Sequence, residues 1–210
     1  MPTTTTVGVF VLAALALLVV PGPSVLYLVT QSVSAGRRGG TAAMLGVQCA
    51  GAVHVLFAAA GLSAIIASSA TAFATLKYAG AAYLIWMGAR RVLGGQSIGQ
   101  AVTDTRPSTS HRRLFRQGFI VNLLNPKSAI FFVAILPQFV DRTRGSAWLQ
   151  VMVLGTIFLT MAVVSDGAWV LCAGWVSGRL RTRRAQRVES TLSGAVLIAL
   201  GVIAATQQRT

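Results

Sequence analysis

Residues 117–132 read Gln117-Gly118-Phe119-Ile120-Val121-Asn122-Leu123-Leu124-Asn125-Pro126-Lys127-Ser128-Ala129-Ile130-Phe131-Phe132. The stretch is apolar enough to enter a bilayer, yet Asn125-Pro126 interrupts it. Proline lacks an N–H and clashes with the preceding turn, so it starts helices better than it continues them. The residue before it is pushed out of the helical region. Asn is a favoured N-cap. Asn125-Pro126-Lys127 therefore reads as a fresh helix start within an apolar run. The first apolar run carries the same device at Gly22-Pro23-Ser24, with Gly22 as the weaker cap. Each start leaves unpaired N–H groups and a partial positive charge at membrane depth. Such backbone is tolerated there only when buried in protein or lining a wet cavity.

The rest of the chain agrees with a membrane setting. Of 210 residues, 54% are hydrophobic and only 10% are charged. Soluble chains carry about 25% charged residues. Disorder, a coiled coil, a collagen-like fibre and a soluble enzyme with an ordinary polar surface are excluded. A span needs about 20 apolar residues. Six segments qualify: 7–34, 41–66, 72–93, 117–140, 147–176 and 191–205. The first is read as a retained span rather than a signal peptide, because no Lys or Arg precedes Arg37.

The formal net charge is +14, from 18 Lys+Arg against 4 Asp+Glu. In a soluble chain that excess would suggest nucleic acid. Here thirteen of the basic residues fall in three loops on one side, at 37–38, 90–116 and 179–187. Lys77, Arg142, Arg144 and Arg209 fall on the other side, and Lys127 lies inside a span. This positive-inside bias predicts both termini outside, and topology accounts for the arginines without nucleic acid.

The Gly-, Ser- and Thr-rich stretch 94–116 reads as a flexible basic cytoplasmic linker between two halves, 1–93 and 117–210. Gly80-Ala81-Ala82-Tyr83-Leu84-Ile85-Trp86-Met87-Gly88 in the third span resembles Ser193-Gly194-Ala195-Val196-Leu197-Ile198-Ala199-Leu200-Gly201 in the sixth. Three spans per half require the second half to enter from the opposite side, the inverted-repeat plan of secondary transporters. The expected fold is an all-α integral membrane protein. Its six transmembrane helices form two inverted three-helix repeats, with the first and fourth helices broken at proline.

Candidate site residues follow from these breaks. Two helix starts facing one another, at Gly22, Pro23 and Ser24 and at Asn125, Pro126 and Lys127, would hold an anionic group such as a carboxylate. Lys127 either joins that site or pairs with Asp166; the alternative is a structural cation satisfied by carbonyls or a snorkelling side chain. Asp166 is the one acid deep within a span, where an Asp costs about 2.5–3.5 kcal/mol. It is the natural partner for an ammonium or a carried proton. His54 ends the small-residue face Ala42-Gly46-Ala50, so a bond across a helix interface is favoured over a proton relay. Tyr27, Gln31, Gln48 and Trp169 are further polar or aromatic residues that could line a cavity. Cys49 and Cys172 lie in separate apolar runs without metal-ligand spacing, and are read as packing residues. No metal or other cofactor is expected.

Several motifs together carry a family resemblance. They are Pro21-Gly22-Pro23, the glycine-rich run 36–51, the run 77–88 containing Lys77-Tyr78-Ala79-Gly80, Phe115-Arg116-Gln117-Gly118-Phe119, Asn122-Leu123-Leu124-Asn125-Pro126-Lys127, Phe131-Phe132 and Leu136-Pro137-Gln138-Phe139. In this order, over most of the chain, they resemble the LysE/RhtB-type amino-acid exporters. The resemblance implies a bacterial inner-membrane secondary transporter that exports amino acids of the homoserine, threonine, lysine or arginine type. It implies coupling to the proton or sodium gradient, with the proton the expected ion, and no ATP. The partners expected are an amino acid, the coupling ion and the bilayer, with a homodimer as the allowed assembly. The arginine-rich stretch 179–187 departs most from the family pattern.

Two rival classes are weighed. An exporter of metal ions or other small solutes would need several converging carboxylates, histidines or thiolates. A membrane thiol–disulfide carrier would need its two cysteines together. An ATP-driven pump is disfavoured, since no GxxxxGK[ST] occurs.

Overall fold

The computed structural model describes residues 1–68 and 110–180, with a few isolated helical positions between 78 and 93 and between 191 and 202. The expected third and sixth spans, most of the linker and the arginines at 181–187 lie outside the described residues. Those described are helical, with no strand among them.

Helix α1, Thr4–Val19, is capped by Thr3, whose side chain accepts from Thr6 N at 3.0 Å. It ends where Pro21 forces the preceding residue, Val20, into an extended conformation (φ −78, ψ 116). Helix α2, Pro23–Ser68, then starts with proline in its first turn. Gly22 supplies the carbonyl that receives the first helical bond, from Leu26 N at 3.0 Å. The first expected break is therefore present.

A single residue divides α2. Gly36 has φ 71 and ψ 178, a left-handed setting that glycine adopts without a Cβ penalty. The chain reverses there. A Cβ on Gly40 would lie 2.0 Å from Ser32 Oγ, a closeness impossible for residues eight apart on one straight helix. Residues 23–35 and 37–68 are thus two limbs of a tight helical hairpin. The inside loop expected at 35–40 shrinks to one glycine, flanked by the exposed Arg37 and Arg38.

Helix α3, His111–Leu123, packs on the second limb of α2 at very short range. A Cβ on Gly46 would lie 2.0 Å from the carbonyl oxygen of Phe115. One on Gly118 would lie 2.3 Å from that of Ala43. Two glycines on facing helices let the backbones touch.

Helix α4, Pro126–Ile130, starts behind Asn125, whose side chain accepts from Lys127 N at 3.1 Å. The run continues as a π-turn at Phe131–Ile135 and a 3-10 turn at Leu136–Phe139. Pro137 explains the change, since it cannot donate to the helical ladder and its ring displaces the carbonyl four residues back. The axis bends by 51° between α3 and the 127–139 run.

A short loop follows, with Asp141 accepting from Thr143 N at 2.9 Å and from Thr143 Oγ1 at 2.7 Å. The fully buried Gln150 clamps it by receiving from Asp141 N and donating to the carbonyls of Asp141 and Gly145. The amino group of Met1 donates to the carbonyl of Arg144, so the N-terminus lies at this end of the bundle. The Gly36 turn and the start of α3 share the other end, where a Cβ on Gly39 would lie 3.2 Å from Leu114.

Helix α5, Ala147–Leu180, completes the described bundle. Ala147–Ala173 is long and apolar enough to cross a membrane, the stretch Pro23–Gly61 passes the same measure of length and composition but is folded back at Gly36, and the bent pair of α3 with 127–139 makes a further candidate span. Leu12, Phe57 and Val164 expose about 70% of their surface, which suits contact with lipid. Cys49 and Cys172 are exposed as well, which corrects their reading as packing residues. The core is an aromatic cluster of Phe10, Phe131, Phe132, Phe139 and Phe158. Phe131 and Phe158 stack at 4.7 Å, and Phe10 meets Phe139 edge-on at 5.3 Å. It ties α1 and α5 to the irregular 131–139 segment.

Candidate functional site

The two proline-started helices meet. Asn125 Nδ2 donates to Ser24 Oγ at 2.9 Å, and Ser24 Oγ donates to Asn122 Oδ1 at 3.0 Å. Ser128 Oγ donates to the same Asn122 oxygen at 2.9 Å. Asn122 Nδ2 donates to the carbonyl of Val47 at 2.8 Å, reaching the second limb of α2. Ser24, Asn122 and Asn125 are all buried. A buried polar network is stable only when its members are paired, and this one pairs four side chains from α2, α3 and the start of α4.

The network borders a cavity of about 60 Å³ open to water-sized spheres. One water needs about 10–15 Å³ of such space, so several fit. Its polar lining is Ser24, Gln48, Asn122, Asn125, Lys127, Ser128 and Asp166, and its apolar lining includes Leu17, Val25, Phe132, Phe158 and Leu159. The helix start at Pro23 leaves the N–H groups of Ser24 and Val25 without a helical acceptor, and both residues line the cavity.

Lys127 Nζ donates at 2.5 Å to the carbonyl of Val20, the cap residue freed where α1 ends. A cation there also suits the negative end of the α1 dipole. Its stem lies over Gly22, where a Cβ would come within 3.2 Å of Lys127 Cδ. The glycine thus makes room for the lysine. Asp166 is buried and accepts from Gln48 Nε2 at 2.8 Å. Lys127 and Asp166 line the same cavity and lie within coulombic range of each other. Ser165 turns away from Asp166 towards the carbonyl of Leu18, at 3.5 Å.

Of the expected site residues, Gly22, Ser24, Asn125, Lys127 and Asp166 line the cavity, while Pro23 and Pro126 start the helices that border it. His54 stands behind the cavity wall. Its Nε2 lies 3.2 Å from the carbonyl of Asn122, and its ring stacks on Phe132 at 5.8 Å. Gln48 lines the cavity, whereas Tyr27, Gln31 and Trp169 do not. Tyr27 instead ties α2 to α3 by donating to the carbonyl of Leu114 at 3.0 Å. Sequence reasoning passed over Asn122, the hub of the network. Its signal was a second asparagine in an apolar run, three residues before Asn125. Among the described residues no three of His, Cys, Asp or Glu converge as metal ligands.

Among the described residues, apolar helices interrupted at proline border a small cavity of mixed polar and apolar lining, a build that suits a membrane translocator. The LysE type translocator family matches residues 15–208, and the chain belongs to that family. A homoserine/homoserine lactone efflux protein of Salmonella typhimurium is 35% identical over 163 residues, covering 75% of this chain and 77% of that protein. A leucine efflux protein of Salmonella choleraesuis is 27% identical over 201 residues, covering 95% and 94%. An uncharacterized membrane protein of Vibrio cholerae is 30% identical over 197 residues, covering 94% and 95%. No solved structure matches the chain. The family resemblance read from the motifs holds, and the chain is a membrane-embedded protein.

Proposed function

We propose that the protein exports amino acids or close derivatives across the bacterial inner membrane by proton antiport and alternating access. One observation carries this reading: a lysine, a carboxylate and an interrupted helix start line one cavity. That set matches the two charged ends of a free amino acid. The substrate carboxylate sits beside the Ser24 and Val25 N–H groups and Lys127. Asp166 holds the ammonium, or a proton when the substrate has left. The family and its efflux relatives support the direction of transport.

In this reading six spans form two inverted three-helix repeats, and the cavity lies between the first and fourth. The end bearing Arg37, Arg38, Arg112, Arg113 and Arg116 faces the cytoplasm, with both termini outside. Moving one charge through 100 mV releases about 2.3 kcal/mol. At 1.4 kcal/mol per tenfold, that sustains a gradient of roughly fortyfold. One proton per substrate is enough for useful export.

The test is efflux of labelled amino acid from proteoliposomes under an imposed proton gradient. Efflux that follows the gradient, and stops when an ionophore collapses it, is the expected result. Efflux indifferent to the gradient would remove proton coupling.

A further inference from the structure

We infer that the substrate is an amino acid with an uncharged side chain, and that lysine and arginine are rejected. The inference rests on the exporter reading and narrows it. The whole chain has four acids: Asp104, Asp141, Asp166 and Glu189. Asp141 is spent in the exposed loop at the N-terminal end, bonded to Thr143 and paired with Arg144 at 3.3 Å. Asp104 lies in the polar stretch 94–116, and Glu189 follows five arginines between 179 and 187. Among the described residues, Asp166 is the acid that lines the cavity.

Among the described residues the charged lining is therefore Lys127 and Asp166, and the other polar members are neutral serine and amide side chains. A zwitterion matches that pair charge for charge. Lysine or arginine brings a second cation, and among the described residues no second carboxylate lines the cavity. The rest of the lining includes the apolar Val25, Phe132, Phe158, Leu159 and Ala162. It receives an aliphatic chain without cost and leaves a side-chain ammonium unpaired at bilayer depth.

The experiment is counterflow in proteoliposomes containing the purified full chain, with labelled leucine, homoserine and lysine as probes. Leucine or homoserine should move at least about a hundredfold faster than lysine, the rate equivalent of one unpaired charge in a span. Ala162→Asp places a second carboxylate in the apolar lining, one helical turn before Asp166 on α5. That variant should raise lysine transport relative to leucine by about tenfold or more. Lysine moving as fast as leucine in the parent protein would overturn the inference and leave the exporter reading intact. Transport of none of the three would overturn both.

Discussion

Asn125 Nδ2 and Ser24 Oγ lie 2.9 Å apart, joining two proline-started helices across 101 residues of chain. Asn125 has two tasks here. Its oxygen caps α4 and its amide reaches Ser24. Asn125→Ala loses both and should cost about 1 kcal/mol through the cap, with transport falling at least about tenfold. Asn125→Ser keeps an acceptor for the cap and removes the amide donor. It should recover the melting temperature and not the transport. Recovery of both would detach the Ser24 link from function.

Asp166 offers the sharpest change at the cavity. Asp166→Asn keeps the size of the side chain and removes the charge, so proton-driven efflux should fall by about tenfold or more. Gln48→Leu leaves the carboxylate without its 2.8 Å donor and should slow efflux less severely. Vesicle efflux measured under the same imposed gradient checks both. A parent rate in Asp166→Asn would take the residue out of the mechanism.

Close backbone contact makes a stability prediction. Gly46→Ala and Gly118→Ala each drive a methyl into a carbonyl of the facing helix, at 2.0 and 2.3 Å. Backbone cannot yield as a side chain does, so each should cost about 3 kcal/mol or more. Gly167→Ala meets nothing within 4 Å and sits inside α5. It should stabilise by about 0.5–1 kcal/mol. Thermal melting in detergent separates the two groups, and equal melting temperatures would contradict the tight α2–α3 crossing.

The loop at the N-terminal end should respond to acid. Hydrogen bonds from Thr143, and then the Arg144 charge, hold the Asp141 carboxyl below its ordinary value. Folding thus favours the charged form, and the stabilisation is present above the ordinary carboxylate range. It fades as pH falls through the lower folded value. Amide exchange at Thr143 should quicken over that window, and Asp141→Asn should abolish the pH dependence.

Much of this arrangement was legible in the residues. The spacing of Gly22-Pro23 and Asn125-Pro126 marked two helix starts, because proline acts on its own turn and needs no distant partner. Asp166 and Lys127 stood out because charge within an apolar run is costly wherever the helix faces. The cysteines were misread for a related reason. In a bilayer the lipid face and the protein face are both apolar, so composition does not tell a packed Cys49 or Cys172 from an exposed one. The π-turn at Phe131–Ile135 was missed because Pro137, several residues on, widens the ladder behind it.

The sequence by itself determined a membrane-embedded helical chain, the places where its helices restart, and the few charges it keeps at depth. These are local matters of backbone chemistry and solvation cost. Only the tertiary structure decided that Ser24, Asn122 and Asn125 share one network, that Gln48 serves Asp166, and that Lys127 turns to Val20. The links of Asn122 to Ser24 and Val47 depend on how closely α2 and α3 approach, and Gly46 and Gly118 set that distance by the side chains they lack. A missing Cβ leaves no trace in a hydropathy pattern until the facing backbone is known.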